Sequence, residues 1–173
     1  MFCDENQKEG KIMKRCSFTG HRPEKLINVT IGLQELKVRL EEAINFVMTQ
    51  NVNIFYTGMA RGVDLWAAEI VLKKKLTRKD IRLVAVLPFP EQINDTWTSA
   101  EQTLYQNILK QCDEVITICT SYQKNGYKKR NRYLVEHADI LLAVYNKQYQ
   151  YSGTGQTVRM AEKAGKEIVF LDF

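Results

Sequence analysis

Two glycine-rich turns stand out in this 173-residue sequence because their residue types are the ones that bind phosphate. Thr57–Asp64 places Gly58 and Gly62 around one turn, and Ser152–Thr157 combines two glycines with three hydroxyl side chains. Such a turn before a helix exposes backbone N–H groups to an anion, and the helix dipole favours the negative charge. The two turns therefore predict phosphate binding.

Basic side chains lie near these turns and extend the same chemistry. A guanidinium group makes bidentate, charge-assisted hydrogen bonds to phosphate. The candidate cations are Arg22, Arg61, Arg130 and Arg132. Neither turn is a Walker loop, because no Gly-Lys-Ser/Thr follows, and Gly153-x-Gly155 lacks the third glycine of the dinucleotide fingerprint.

Short apolar runs and helical patterns alternate along the chain and must position these turns. The predicted strands are Cys16–Thr19, Asn53–Thr57, Leu83–Leu87, Val115–Cys119, Ile140–Tyr145 and Ile168–Leu171. The predicted helices are the apolar stripe from Leu33 to Val47, Leu65–Lys75 with Asp64 as a candidate N-cap, a helix opened by a Thr98–Glu101 capping box, Arg130–Ala138 and Gln156–Ala164. This alternation predicts an α/β fold: a single-domain, Rossmann-like, doubly wound, mainly parallel sheet with helices on both faces.

The unusual residues follow the predicted strands, at the edge where such sheets bind ligands. The connections at the opposite edge are short and ordinary. The candidate ligand-binding residues are Gly20, His21, Arg22, Thr57, Gly58, Gly62, Asp64, Arg130, Ser152, Gly153, Thr154, Gly155, Gln156 and Thr157. We expect the glycines to bring backbone close to phosphate, with Gly155 leaving space for an anion oxygen.

Composition limits the remaining classes of protein. With 25 Lys and Arg against 20 Asp and Glu, the formal charge is +5, which permits an anionic partner without requiring one. Four scattered cysteines and two histidines make a metal site improbable. No apolar run reaches the length of a membrane span, and no signal peptide is visible, so a cytoplasmic protein without a membrane partner is expected. Residues 1–13 are predicted to be a polar tail and residues 14–173 the domain.

The motifs resemble those of a known superfamily. Thr57-Gly-Met-Ala-Arg-Gly-Val-Asp64-Leu-Trp-Ala67 resembles Ser-Gly-x-Ala-x-Gly-Ile-Asp-x-x-Ala of the DNA-processing protein A family. Arg130–Asp139 and Ser152–Thr157 resemble elements of the Lonely Guy (LOG) phosphoribohydrolases. Both families belong to the SLOG superfamily of Rossmann-like nucleotide-binding domains. The Gly-His-Arg-Pro start and the Gly-Thr-Gly-Gln-Thr turn are most similar to its YpsA-like branch, over about residues 14–173.

The departures from the LOG pattern bear on catalysis. The LOG turn reads Pro-Gly-Gly-x-Gly-Thr-x-x-Glu, and its last residue is the catalytic Glu. Here that position holds Arg159, and the Pro position holds Tyr151, whereas the partner Arg is retained as Arg130. Cleavage of an N-glycosidic bond develops positive charge on the sugar and needs a carboxylate nearby. The resemblance thus implies retained phosphate binding without clear catalytic residues.

The sequence therefore predicts binding of a nucleotide or nucleotide derivative such as AMP, ADP-ribose or NAD, in a sensor or regulatory module. One alternative is a nucleoside-monophosphate glycosidase that uses Asp64, Glu69 or Glu136. A second is single-stranded nucleic-acid binding. The basic residues cluster near one loop and no aromatic-interleaved basic run is recognised, so nucleic acid is expected to be an unlikely partner. Homo-oligomer formation is left open.

Overall fold

The computed structural model describes residues 12–26 and 31–173, which form one α/β domain. The tail predicted over residues 1–13 lies outside the described residues except for Ile12 and Met13, which are not in a helix or strand. The strands are β1 (Lys14–Gly20), β2 (Val52–Thr57), β3 (Arg82–Leu87), β4 (Glu114–Thr117), β5 (Ile140–Val144) and β6 (Glu167–Leu171). The helices are α1 (Pro23–Leu26), α2 (Leu33–Thr49), α3 (Val63–Lys75), α4 (Ser99–Leu109), α5 (Gly126–His137) and α6 (Gly153–Lys163).

The strands form one parallel sheet in the order β4-β3-β2-β1-β5-β6. From β1 the chain winds outward to β4, then returns across the sheet and continues on the other side of β1 with β5 and β6. Strand order thus reverses between β1 and β5. This arrangement confirms the predicted doubly wound, Rossmann-like sheet.

Helices cover both faces of the sheet, as predicted. Helices α2, α3 and α4 pack on one face, and α5 and α6 on the other. On the first face the rings of Phe18 and Phe55, from neighbouring strands, stack with centroids 5.8 Å apart. The apolar stripe of α2 is buried against the same core through Leu36, Leu40, Ile44 and Val47. Burial of these apolar side chains is the main stabilising contribution to the domain.

The starts of two helices test the capping predictions. The Thr98–Glu101 capping box is confirmed: the Glu101 N–H donates to the Thr98 hydroxyl at 3.2 Å, and the Thr98 N–H donates to the Glu101 carboxylate at 2.8 Å. The prediction of Asp64 as the N-cap of α3 is wrong. Gly62 occupies that position with a φ of 85°, a conformation that favours glycine. Asp64 lies inside the first turn.

Like α3, which starts at Val63 instead of Leu65, two further helices begin earlier than predicted. Helix α5 starts at Gly126 instead of Arg130, and α6 starts at Gly153 instead of Gln156. The Ser152 hydroxyl accepts the N–H of the third helical residue at 3.1 Å, so the glycine-rich turn is itself the first turn of α6. Because glycine has a low helix propensity, a helix that begins at a glycine is difficult to predict from the sequence.

Candidate functional site

A cavity of about 370 Å³ opens at the carboxyl ends of β1 and its neighbours, where strand order reverses. Open parallel sheets bind ligands at this position, and small-molecule sites usually enclose about 300–1,000 Å³. The wall contains Phe18, Thr19, Gly20, His21, Arg22, Glu24, Lys25, Ala60, Asp64, Tyr127, Arg130, Asn131, Leu134, Ser152, Gly153 and Thr154. Four segments that are distant in the sequence therefore build one site.

The fourteen predicted ligand-binding residues divide into two groups. Those that line the cavity are Gly20, His21, Arg22, Asp64, Arg130, Ser152, Gly153 and Thr154. Those that do not are Thr57, Gly58, Gly62, Gly155, Gln156 and Thr157. The second group lies in the same two turns as predicted, outside the cavity wall.

The N-terminus of α6 forms one end of the cavity. The Ser152 hydroxyl caps the Gly155 N–H, and the Ser152 carbonyl oxygen accepts the Gln156 N–H at 2.9 Å. The N–H groups of Gly153 and Thr154 belong to the same first turn, where a helix supplies no acceptor of its own. Together with the positive end of the helix dipole, these two donors make this end of the cavity suitable for an anion.

The predicted role of Gly155 is wrong. A Cβ on Gly155 would collide with the carbonyl oxygen of Gln150, so the space beside it belongs to the backbone of the preceding turn. The hydroxyl of Thr157 is also used within the helix, since it donates to the Gly153 carbonyl oxygen at 2.9 Å. Gly153 itself faces open space: a Cβ there would have no described heavy atom within 4 Å.

The turn after β2 is held by its own side chains. The buried Thr57 hydroxyl donates to the Asp64 carbonyl oxygen and accepts the Met59 N–H, both at 3.1 Å. Met59 is buried with a φ of 56°, and Gln92 donates to its carbonyl oxygen at 2.7 Å. Thr57 was predicted to donate to the ligand. The structure instead uses its hydroxyl to fix this turn.

Gly58 makes room for a side chain of the protein, not for phosphate. The Arg130 guanidinium, only 5% exposed, donates from Nη1 to the Gly58 carbonyl oxygen and from Nε to Asn131 at 2.8 Å. A Cβ on Gly58 would occupy the place of this guanidinium and lie 2.8 Å from a carboxylate oxygen of Asp64. The space that the absent Gly58 side chain leaves is therefore filled by Arg130, and Gly58 itself does not line the cavity. Arg130 remains in the cavity wall.

A buried carboxylate lies beside this arginine. Asp64 is 6% exposed, and one of its carboxylate oxygens accepts the Ala60 N–H at 3.3 Å. Burial raises the pKa of Asp64 to about 6, and the positive charge of Arg130 opposes this rise. Burial also lowers the pKa of Arg130, while Asp64 opposes that change. The cavity floor thus presents an acceptor and a donor side by side.

His21 forms a wall between the loops that follow β1 and β5. It is 2% exposed, and its ring packs against Tyr145, Tyr149 and Phe173 with centroids 5.2–5.9 Å apart. The Asn146 N–H lies 3.4 Å from its Nε2, which accepts. Burial lowers the pKa of His21 to about 4. The ring is therefore neutral near pH 7 and supplies shape to the cavity instead of charge.

The cations near the cavity differ in what they contact. Arg22 and Lys25 are exposed at its rim. Arg61 was predicted to bind an anion, but it is paired with Glu24 at 2.6 Å and with Glu101 at 2.9 Å. Arg61 therefore joins α1 to the capping box of α4.

Sequence reasoning missed one wall of the cavity. Tyr127, Asn131 and Leu134 lie on the face of α5 that carries Arg130. These four positions have the spacing of one helical face, i, i+3, i+4 and i+7. Starting the predicted helix at Gly126 would have revealed that face.

The carboxylates of the enzymatic alternative are mostly outside the cavity. Glu69 lies 3.9 Å from Lys73 on α3, Glu136 is exposed on α5, and neither lines the wall. Arg159 is exposed and donates to the Gln150 carbonyl oxygen. Asp64 is the member of the proposed set that reaches the cavity. Within residues 12–26 and 31–173, no cluster of three or more His, Cys, Asp or Glu side chains could hold a metal ion.

The fold defines a Rossmann-type α/β protein with a cavity at the reversal of strand order. The chain belongs to the YpsA family, described as the YspA SLOG family, which matches residues 16–173. The resemblance found in the motifs is therefore confirmed. A UPF0398 protein of Halalkalibacterium halodurans is 32% identical over 139 residues, covering 78% of this chain and 73% of the relative. A UPF0398 protein of Bacillus cereus is 32% identical over 142 residues, covering 79% and 76%.

Two solved structures share the fold at low sequence identity. DNA processing protein A (DprA) from Streptococcus pneumoniae superposes with a TM-score of 0.65 at 17% identity, over 91% of this chain and 50% of that protein. DprA from Helicobacter pylori gives 0.62 at 16% identity, over 91% of this chain and 64% of that protein. The chain thus spans about half to two thirds of the length of these proteins.

The expectation that nucleic acid is an unlikely partner is contradicted by this comparison. The H. pylori protein, which has the same fold, is described by its single-stranded DNA binding mode. The basic residues after β4 also alternate with aromatic ones, contrary to the expectation that no such run is present. Tyr122 and Tyr127 both pack edge-to-face against Phe89, at 5.2 and 5.3 Å.

Membrane insertion through a helix finds no support in the described part of the chain. No helix there combines the length and apolar character that a membrane span requires.

Proposed function

We propose that the protein binds a nucleotide or nucleotide derivative in the cavity at the carboxyl ends of β1, β2 and β5, as a sensor or regulatory module. The class of ligand is represented by AMP, ADP-ribose and NAD. One observation carries the proposal: the N-terminus of α6 and the cations Arg22, Lys25 and Arg130 line the same cavity. An anion in this cavity would meet both.

The anionic part of the ligand is assigned to the α6 end. The N–H groups of Gly153 and Thr154 supply fixed donors, which cost little ordering on binding. Arg22 and Lys25, at the exposed rim, attract phosphate over a longer range. Arg130 adds a guanidinium that is already held in place by Gly58. This combination suits a phosphate group better than a neutral ligand.

The remaining wall suits the less polar parts of a nucleotide. Ala60 supplies apolar surface and Tyr127 supplies an aromatic ring, and both residues are partly exposed. Asn131 stands beside them, with an amide that can donate and accept hydrogen bonds. A site with a few fixed polar groups on an apolar wall is typical of small-molecule binding.

Native mass spectrometry of the protein purified without denaturation would weigh any retained ligand. Calorimetric titration with AMP, ADP, ADP-ribose and NAD then tests the class directly. The critical variant is Gly153→Asp, because a carboxylate in the first turn of α6 suits the helix dipole but repels phosphate. Gly153→Asn has nearly the same shape and no charge. We expect the Asp variant to lose binding at least tenfold relative to the Asn variant, and equal affinities would overturn the anion site.

A second candidate function is supported by a different surface, the aromatic and basic segment Ser121–Arg132. Tyr122 is 69% exposed, and its ring rests on Phe89. The neighbouring exposed cations are Lys124, Lys128, Lys129 and Arg132. An exposed ring among cations can stack a base while the cations contact phosphates. The single-stranded DNA binding of the H. pylori protein favours testing single-stranded DNA first.

Fluorescence anisotropy with a labelled oligothymidylate at several salt concentrations tests this candidate. Binding through several phosphates weakens steeply as salt rises. If Tyr122 stacks on a base, Tyr122→Ala should weaken binding about tenfold, in line with roughly 1–3 kcal/mol per stacked base. Tyr151→Ala is the control, because Tyr151 is 90% exposed outside this segment. Equal losses in both variants, or none, would remove the candidate.

A further inference from the structure

We infer that Asp64 determines sugar specificity: its carboxylate accepts the ribose hydroxyls, so the cavity selects ribonucleotides over 2′-deoxyribonucleotides. This inference rests on the proposed function, because it assigns the sugar of the nucleotide whose phosphate lies at α6. It concerns a different wall of the cavity and a different chemistry from the anion site.

The hydrogen bonds around Asp64 leave it an acceptor to spare. The side chain is 94% buried from solvent yet belongs to the cavity wall. Its Oδ2 accepts the Ala60 N–H at 3.3 Å, and no side chain or backbone group in the described part of the chain donates to Oδ1. An ionised carboxylate offers about four acceptor positions. Oδ1 is not among the buried atoms that lack a partner, so it opens to the cavity, where a ligand hydroxyl can replace water as its donor.

The sheet brings Asp64 and the anion end into one cavity, on either side of β1. Asp64 lies in the first turn of α3, after β2, and Gly153 begins α6, after β5, with β1 between β2 and β5. The two helix starts line the same cavity, so they face each other across the end of β1. A phosphate at Gly153 and Thr154 therefore directs the next group of a nucleotide, its pentose, over the end of β1 toward Asp64.

The groups around Asp64 favour hydroxyl donors. Arg130 on α5 and Arg22 after β1 both stabilise its ionised form. Glu24, Lys25 and His21 also line the cavity, and none of them donates a hydrogen bond to this carboxylate. A vicinal diol presents two O–H donors that one carboxylate can accept together. An amino group of the base could also donate to this carboxylate. Deoxyribonucleotides keep the base and lack the 2′-hydroxyl, so they distinguish a bond to the base from a bond to the sugar.

The raised pKa of Asp64 predicts that the preference for ribonucleotides depends on pH. Burial raises its pKa to about 6, so the carboxylate that accepts the hydroxyls is ionised at pH 7.5 and mostly protonated at pH 5. The phosphate group also titrates near pH 6, but it does so equally in ribonucleotides and deoxyribonucleotides. The ratio of affinities for ribo- and deoxyribonucleotide is therefore the quantity that reports on Asp64.

Calorimetric titration with AMP, ADP and their 2′-deoxy counterparts tests the inference. We expect the ribonucleotides to bind about 10- to 100-fold more tightly at pH 7.5, the range for a hydrogen bond to a charged group. That ratio should fall below threefold in Asp64→Asn, and it should shrink in the parent at pH 5. Glu69→Gln is the matched control, since it changes a carboxylate to an amide on the same helix outside the cavity.

The outcomes separate the inference from the function on which it rests. Equal affinity for both sugars in the parent overturns the role of Asp64 and leaves nucleotide binding standing. A ratio that persists in Asp64→Asn also overturns it. If none of the four nucleotides binds, the inference fails, and the proposed function fails with it only when ADP-ribose and NAD are not bound either. If Asp64→Asn does not fold, the parent ratio and its change between pH 7.5 and 5 decide.

Discussion

The guanidinium of Arg130 on α5 donates a hydrogen bond to the carbonyl oxygen of Gly58, in the turn after β2. The two residues are 72 positions apart in the chain. This contact ties a helix on one face of the sheet to the turn that begins α3 on the other face. It also holds the arginine in place before any ligand arrives.

Replacing Gly58 tests this contact. In Gly58→Ala the new methyl group would overlap the Arg130 guanidinium, so we expect a loss of about 1–3 kcal/mol in the free energy of unfolding. Gly153→Ala is the control, because its methyl group enters open space, and we expect a change within about 0.5 kcal/mol. Urea unfolding measures both. Equal stability of the two variants would show that Arg130 is free to move.

Replacing Gly155 should affect folding, whereas the sequence alone predicts an effect on ligand binding. Gly155→Val places its side chain against the Gln150 carbonyl oxygen, and the backbone of that turn must shift to admit it. We expect a loss of at least 2 kcal/mol in unfolding free energy, or failure to fold. Thermal unfolding followed by circular dichroism measures this. A stable Gly155→Val protein would mean that the start of α6 is placed differently.

Asp64 should make the protein more stable as pH falls. Its pKa rises from 3.8 to about 6 in the folded state, so the folded protein binds this proton more tightly than the unfolded chain does. Between pH 6 and 4 this group therefore adds up to about 3 kcal/mol of stability on acidification. Asp64→Asn should lack that gain. The difference between the two proteins in urea midpoint, measured across this window, checks the sign; a constant difference would contradict it.

His21 should act in the opposite direction over nearly the same window. Burial lowers its pKa from 6.5 to about 4, so the unfolded chain binds this proton first. Its contribution to stability is complete above pH 6.5 and declines as pH falls toward 4, by up to about 3 kcal/mol. In Asp64→Asn this loss is no longer offset. Histidine resonances followed by NMR measure the pKa, and a value near 6.5 would refute the prediction.

Hydrolysis of a nucleoside monophosphate gives the remaining prediction. Arg159 stands where the LOG pattern has its catalytic Glu, and it is exposed outside the cavity wall. We expect no release of adenine from AMP above the buffer control, measured by chromatography. Steady release that disappears in Asp64→Asn, but persists in Glu69→Gln, would support the glycosidase alternative instead.

Local patterns were sufficient for the elements of the fold. Apolar runs predicted the strands because β1, β2, β3 and β5 are mostly buried by neighbouring strands and by helices. The α2 stripe and the Thr98–Glu101 box depend on residues only a few positions apart. The edge that carries the cavity followed from the same alternation. These features depend on interactions close in the sequence or common to all parallel sheets.

The roles of single residues could not be read in this way. Gly58 appeared to approach phosphate, but its space is taken by Arg130, which no pattern near residue 58 reveals. Arg61 appeared free to bind an anion, but its partners Glu24 and Glu101 lie 37 and 40 positions away. Such roles depend on which distant side chains the sheet brings together.

The cavity wall joins the ends of β1, the turn after β2, α5 and the start of α6, so it exists only after β5 has docked beside β1. A partly folded chain that lacks this docking has no complete site. A bound ligand therefore cross-links distant segments, and at 100 times its dissociation constant it adds about 2.7 kcal/mol to the stability of the native state. Protection against proteases would then rise with ligand concentration, so the abundance of the protein in a cell would follow the supply of its ligand.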